Sequence, residues 1–300
     1  MNGYLKTFKG QLLEEEPLSK YTTWNIGGVA KYFYQPKDID DLANFFSLWP
    51  HDHKIIWLGG GSNVLISDTG TKSTVVHVRN SLNKITLSDF AGEEKCIRAE
   101  AGVSCAKLVQ FCLQNNLVDE VFLAGIPGTI GGALAMNAGA FGSEIWQHVV
   151  LLETIDRTGT IKIRKPQEFS FGYRNLVGLK PDEWFTAGYF QFKHGDVREA
   201  RKKIRAYWKK RLNSQPVKEH TCGSVFKNPD GHFAGHLIQD CGLKGTRIGN
   251  AKISDQHANF IINEGNATAK DIEQLIELIT LRVFEKHNVK LQTEVKFIAE

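Results

Sequence analysis

The sequence predicts an α+β fold in two or three lobes, and three observations predict it. The chain has 300 residues, too many for one comfortable hydrophobic core. Strand-like runs rich in β-branched and aromatic residues are interleaved with stretches of helical periodicity. Two glycine-rich loops, 59–63 and 125–142, fall in different parts of that pattern.

The elements follow in order. Ala30–Gln35 (AKYFYQ) has strand composition, and Asp38 then opens a helix that sets Leu42, Phe45, Phe46 and Trp49 on one face. Lys54–Leu58 (KIIWL) is a short buried strand that stops at the first glycines, and Thr74–Arg79 leads into a second lobe. There strands are expected near Lys84–Leu87 and Cys96–Ala101. A helix capped by Ser104 runs to about Asn116, with Leu108, Phe111 and Cys112 inward. Asp156-Arg157-Thr158-Gly159 between Val149–Ile155 and Thr160–Arg164 is a hairpin signature. Trp184–Lys193 is a further strand and Asp196–Leu212 a helix, with Pro216 marking a boundary near residue 213. The third lobe opens on the turn-rich Cys222–Pro229. It continues with a short helix from Phe233 to Cys241 stopped by Gly242, then the strand Asn259–Ile262. A long helix opened by Thr268 with Asp271 three residues on, and a closing strand Val289–Ile298, complete it. The expected lobes are 1–75, 76–212 and 213–300.

Composition excludes several classes. Hydrophobic content of 42% and charged content of 23% are those of an ordinary globular protein. A net charge of +4 is too mild for nucleic-acid binding, though it leaves room for a local basic pocket for a phosphorylated ligand. Five cysteines (96, 105, 112, 222 and 241) without a CxxC pair argue against a disulfide framework and a zinc site, so reduced thiols and no metal are expected. No apolar run reaches about 18 residues and the N-terminal residues lack a signal-peptide core. A cytoplasmic protein off the membrane is expected.

Three successive glycines after a buried strand carry an entropic penalty and need a geometric reason. One is a bulky anion approaching bare N–H groups; a tight surface turn serves equally well. No Gly-Lys-Ser/Thr follows, and GxGxxG is missing, so neither a P-loop nor a Rossmann fingerprint is present. The second loop adds four glycines, Pro127 and the Thr129 hydroxyl, and small residues continue to Gly142. A small-residue helix would also give Gly131–Gly139 but would not want Pro127 or Gly128. Two such loops suit a ligand with two distant polar ends, the shape of a pyrophosphate-linked dinucleotide.

Residues 22–28 (TTWNIGG), 59–63 (GGGSN), 125–142 (GIPGTIGGALAMNAGAFG), 171–174 (FGYR), 223–229 (GSVFKNP) and 293–298 (TEVKFI) together resemble the UDP-N-acetylenolpyruvoylglucosamine reductase (MurB) family. They do so in order over nearly the whole chain. The resemblance implies a two-lobed FAD-binding domain of the vanillyl-alcohol-oxidase type plus a C-terminal α+β substrate-binding domain. It implies non-covalent FAD, NADPH as hydride source, and reduction of the enolpyruvyl double bond of a UDP-linked sugar in peptidoglycan precursor synthesis. A monomer is expected. The run from Arg174 to Trp184 is short and lacks tyrosine, which resembles the branch of the family without an inserted tyrosine loop over the substrate.

The cofactor residues implied are Gly59, Gly60, Gly61, Ser62, Asn63, Gly125, Ile126, Pro127, Gly128, Thr129, Gly131, Gly132, Ala133, Asn137, Ala138 and Gly139. For the chemistry, the resemblance implies Ser224 as proton donor, with Arg174 and Glu294 stabilising the enolate. A guanidinium grips a planar carboxylate with two parallel hydrogen bonds, and Glu294 beside an enolate is expected to be a neutral acid. Taken alone, these three fit a surface ion pair, a turn-capping serine and a solvated glutamate beside Lys296. Tyr173, Arg211, Asn228 and His257 are expected near the substrate, although Lys209-Lys210-Arg211 also fits a wet helix face. Two other functions compete. An FAD-dependent alcohol or sugar oxidase of this fold often attaches FAD through a histidine or cysteine, and neither loop has one. A non-catalytic nucleotide-binding module leaves Ser224, Arg174 and Glu294 without a purpose.

Overall fold

The computed structural model describes residues 7–88 and 96–299, and packing divides them into two compact units. The first holds 7–14, 32–60, 73–88 and 96–208; the second holds 15–31, 61–72 and 209–299. The lobes expected from sequence divide the chain in order, whereas these units divide it by packing, so two N-terminal segments join the C-terminal residues.

In the first unit, helix α1 (Ile39–Leu48) starts where Asp38 accepts the Asp41 amide at 2.9 Å, a cap that satisfies one of the orphan N–H groups. Its Leu42, Phe45 and Phe46 are fully buried, and Phe45 stacks on Tyr34 with centroids 3.9 Å apart. Asp41 is buried yet satisfied: it accepts the Lys9 and Lys37 amides and the Tyr34 hydroxyl. A four-stranded sheet takes the order Gln11–Pro17, Val29–Gln35, Thr71–His77, Ile55–Leu58, its last two strands parallel. A second, five-stranded sheet runs Ile161–Arg164, Val149–Asp156, Glu183–Phe190, Cys96–Glu100, Ile85–Ser88, antiparallel throughout. Helix α2 (Cys105–Gln114), capped by Ser104 at the Lys107 amide, and helix α3 (Ile130–Ala135) share a core with it around Ile97, Leu108, Leu152 and Phe190. The hairpin at 156–159 forms as expected. Asp156 Oδ1 accepts the Thr158 and Thr160 amides, and Gly159 takes φ +82°. Helix α4 (Val197–Ser214) begins in this unit.

In the second unit, helix α5 (Ala234–Asp240) ends ahead of Gly242 at φ +70°. Helix α6 (Ala269–His287) opens on the Thr268–Asp271 capping box and buries Ile272, Leu275, Ile276, Ile279 and Val283. A small antiparallel sheet joins Arg247–Ile248, Ala251–Ile253 and Ile261–Asn263. Residues 22–28, which the sequence left without a job, lock into this unit. Trp24 is 0% exposed and donates from Nε1 to the Ile261 carbonyl at 2.8 Å, while Asn263 returns a bond to the Trp24 carbonyl. A Cβ on Gly28 would lie 2.3 Å from the Asp68 carbonyl oxygen, so only glycine fits there.

Two expectations are corrected. The closing strand is Lys296–Ile298 alone, parallel to Val64–Ile66, and not the whole of Val289–Ile298. Ahead of it the Glu294 and Val295 amides both donate to the Val225 carbonyl, which breaks the two-residue alternation: Val295 is buried but Phe297 is 45% exposed. The second correction concerns Ile130–Ala135, which is helical after all, with Gly131 against Ala101 (2.8 Å from an added Cβ to the Ala101 Cβ). Pro127 and Gly128 do not forbid the helix because both precede its first turn.

Candidate active site

The two glycine loops meet within the first unit. A Cβ on Gly59 would stand 2.5 Å from Thr129 Oγ1, and one on Gly60 would stand 2.8 Å from Gly128 Cα. Both glycines are therefore required by the contact between the loops. At Gly59, Gly60, Gly128 and Thr129 the two loops form one contiguous surface. Two observations make that surface fit a dinucleotide. Thr129 is 1% exposed and its hydroxyl has no hydrogen-bond partner among the described residues, an omission that costs about 1–3 kcal/mol unless a ligand atom fills it. Gly132 is exposed, and a Cβ there would meet only Thr129 Oγ1 at 3.8 Å. Among the described residues no close contact demands that glycine, so the space over it is open.

Further along the same run, Asn137 is fully buried at φ +46°, and Gly139 is crowded by the Ser143 carbonyl oxygen, 2.5 Å from an added Cβ. Arg174 comes to this segment. Its two terminal nitrogens donate to the Asn137 carbonyl (3.3 Å) and the Gly139 carbonyl (2.7 Å). It occupies the turn of a hairpin, Ser170–Gly172 with Asn175–Val177, that the sequence did not disclose. Tyr173 precedes it, 49% exposed, with the guanidinium carbon 5.2 Å from its ring centroid. Gly125, Ile126 and Pro127 lead into the loop from a 3₁₀ turn (Asp119–Gly125), and Ala133 and Ala138 are buried beside them.

In the second unit, the main chain of Glu294 pairs with Val225, the residue that follows Ser224. The Glu294 amide donates to the Val225 carbonyl at 2.8 Å, Phe226 is bridged to Thr293, and the Lys227 amide reaches the Gln292 carbonyl. Ser224 follows Gly223, which takes φ +84°, and both Ser224 and Glu294 are half-buried. Cys222 lies buried beside them. Burial first, and then the Glu294 carboxylate, hold its thiol well above the ordinary range. Gly61 is fixed by φ +61° and by the Tyr21 carbonyl oxygen against its backbone. Asn63, expected to serve the cofactor, donates to the Glu294 carbonyl at 3.1 Å, and its own carbonyl accepts the Lys296 amide. Ser62 is half-buried between them.

Three expected substrate residues lie in this unit too. Arg211 has a buried Nε without a hydrogen-bond partner among the described residues, and burial pulls its pKa below the usual arginine range. A cation left in that state is stabilised by an arriving anion. Asn228 is exposed and its Oδ1 accepts the Ala234 amide, steadying the start of α5. His257 is half-buried; burial, then Lys244 and His236, lower its pKa. Its Nδ1 accepts the Asn259 amide at 3.2 Å, so the neutral ring carries its proton on Nε2 and presents a donor there. All five cysteines are free thiols, and among the described residues no helix is long and apolar enough to cross a membrane.

Residues 30–163 match the family described as FAD binding domain, over the stretch that carries the paired loops and the orphaned Thr129 hydroxyl. The chain is therefore an FAD-binding oxidoreductase of α+β architecture with a further C-terminal domain. Residues 215–298 match the family described as UDP-N-acetylenolpyruvoylglucosamine reductase, C-terminal domain. UDP-N-acetylenolpyruvoylglucosamine reductase of Coxiella burnetii (strain RSA 493 / Nine Mile phase I) is 48% identical over 97% of this chain and 96% of its own. The reductase of Legionella pneumophila (strain Paris) is 48% identical over 97% and 95%. The crystal structure of the reductase from Thermus caldophilus superposes with a TM-score of 0.81 at 30% identity, covering 97% of this chain and 99% of that one. The chain belongs to the UDP-N-acetylenolpyruvoylglucosamine reductase family, the FAD-dependent oxidoreductases of peptidoglycan precursor synthesis.

Proposed function

We propose that the chain reduces the enolpyruvyl double bond of UDP-N-acetyl-3-O-(1-carboxyvinyl)-glucosamine with NADPH, giving UDP-N-acetylmuramate. The observation that carries the assignment of roles is the pairing of Val225 with Glu294, which supports a shared task for Ser224 and Glu294. FAD, held without a covalent bond by 59–63 and 125–139, supplies the hydride carrier between NADPH and the β carbon of the unsaturated acid. Arg174 binds the carboxylate on which negative charge builds as hydride arrives. Glu294, as a neutral acid, donates a hydrogen bond to the same developing enolate, and Ser224 delivers the proton to the α carbon. Arg211 meets the diphosphate, while Tyr173, Asn228 and His257 orient the sugar nucleotide. The lobes 1–75 and 76–212 for FAD and 213–300 for substrate, a monomeric state and a cytoplasmic location belong to the same proposal.

Stopped-flow absorbance of Ser224→Ala tests it. NADPH is expected to bleach the flavin bands at the normal rate, while reoxidation by the enolpyruvyl sugar nucleotide slows by roughly 10² to 10⁴. Normal reoxidation would remove Ser224 from the mechanism.

A further inference from the structure

Arg174 sits in a backbone conformation that favours glycine. Its φ of +52° lies in the left-handed region, which costs a residue with a Cβ on the order of 1–2 kcal/mol. It is the second residue of a two-residue turn, because Gly172 pairs with Asn175 across the hairpin. Asn137 holds that turn from outside it. Asn137 Nδ2 donates to the Gly172 carbonyl at 3.0 Å and to Glu144 Oε2 at 2.7 Å, and its Oδ1 accepts the Trp146 amide at 3.4 Å. The Asn137 main chain then takes one guanidinium nitrogen of Arg174, and Gly139, two residues on, takes the other. Asn137 is 0% exposed and itself left-handed. Asparagine is a residue that tolerates this conformation while offering both donor and acceptor. Glu144 is tied down in turn, its amide donating to Gln147 Oε1.

We propose that Asn137 is a positioning residue that aims the Arg174 guanidinium at the substrate carboxylate, fixing the turn with its side chain and the guanidinium with its carbonyl. The inference rests on the role given to Arg174 above and names what sets its direction. An arginine carries about 2 kcal/mol of rotamer entropy, and anchoring both terminal nitrogens in advance removes that cost from binding.

The test uses flavin-saturated enzyme and two ligands, UDP-N-acetylmuramate, which bears the carboxylate, and UDP-N-acetylglucosamine, which lacks it. Calorimetry gives both Kd values, and their ratio isolates the carboxylate grip without any turnover. Asn137→Gly keeps the left-handed backbone and removes the side chain. It is expected to cut the ratio about tenfold, the loss of roughly one or two hydrogen bonds, with affinity for the carboxylate-free ligand within about twofold. Arg174→Ala is expected to abolish the preference, and the double variant to be no worse than Arg174→Ala. An equal loss for both ligands, or an unchanged ratio in Asn137→Gly beside a collapsed one in Arg174→Ala, overturns the positioning role alone. An unchanged ratio in Arg174→Ala overturns the assignment of Arg174 itself. Asn137→Asp, which fits the same backbone but cannot donate to Gly172, carries the comparison if the glycine variant does not retain flavin.

Discussion

Glu120 is wholly buried, and among the described residues neither of its carboxyl oxygens has a hydrogen-bond partner. Burial first, and then the neighbouring Asp119, push its pKa up to about 8. The unfolded chain gives up this proton near the ordinary glutamate value, while the folded chain keeps it until about pH 8. Between those limits the native state binds more protons, so stability falls as pH rises. At about 1.4 kcal/mol per unit the loss reaches roughly 5 kcal/mol. Glu120→Leu is expected to raise Tm more at pH 8 than at pH 5, and equal effects at both in thermal melts would refute the argument. His77 works at the other end. It is 5% exposed and tilted against Phe33, and burial, then Arg79, lower its pKa to about 4. Here the unfolded chain binds the extra proton, so stability is lost as pH falls from about 6.5 to about 4. His77→Phe is expected to flatten the acid side of the Tm profile while leaving the alkaline side as it was.

Glycines in the two loops separate by what they make room for. Gly60 makes room for Gly128, so Gly60→Ala pushes the loops apart and is expected to destabilise apoprotein by about 1–3 kcal/mol as well as weakening FAD. Gly132 makes room for no atom of the described residues and lies in a helix, so Gly132→Ala is expected to stabilise apoprotein by roughly 0.5–1 kcal/mol while still weakening FAD. Apoprotein melts with FAD titrations distinguish the two, and a Gly132→Ala apoprotein that melts lower sinks the distinction. The same contrast between local and distant causes decides what the sequence disclosed. Caps at Asp38, Ser104 and Thr268, the turn at 156–159 and the stop at Gly242 were legible because each is settled within a few residues. The helix at Ile130–Ala135 was legible only as an alternative, since its small residues answer both to Ala101 and to a ligand. The family resemblance supplied the candidate residues, but not their partners. That Asn63 holds the Glu294 carbonyl, or that Asn137 holds the Arg174 turn, depends on contacts between segments far apart in sequence. No local pattern encodes these contacts.

At the scale of the molecule, the second unit is assembled from three separated stretches of chain, and its core shows it. Trp24, Ile26 and Leu65 belong to the same buried cluster as Val225, Phe226, Ile253, Ile261, Ile272 and Ile279. Lys296–Ile298 pairs with Val64–Ile66, and Asp68 accepts the Ala269 and Lys270 amides at the start of α6. The sequence places a boundary near residue 213, while by packing residues 15–31 and 61–72 group with 209–299. Removing a buried leucine or isoleucine forfeits about 1.5–3 kcal/mol each, and a tryptophan burying some 150–250 Å² forfeits more. The whole stability of a small domain is only about 5–15 kcal/mol. The isolated fragment 213–300 is therefore expected to lack a cooperative thermal transition and to give poorly dispersed amide resonances. Restoring Trp24 matters more than restoring length. In the full chain, Trp24→Ala, which deletes a core ring and the bond to Ile261, is expected to lower Tm by more than any exposed substitution on α4. A fragment 213–300 that melts cooperatively with a dispersed spectrum would show that residues 15–31 and 61–72 only decorate a core complete without them.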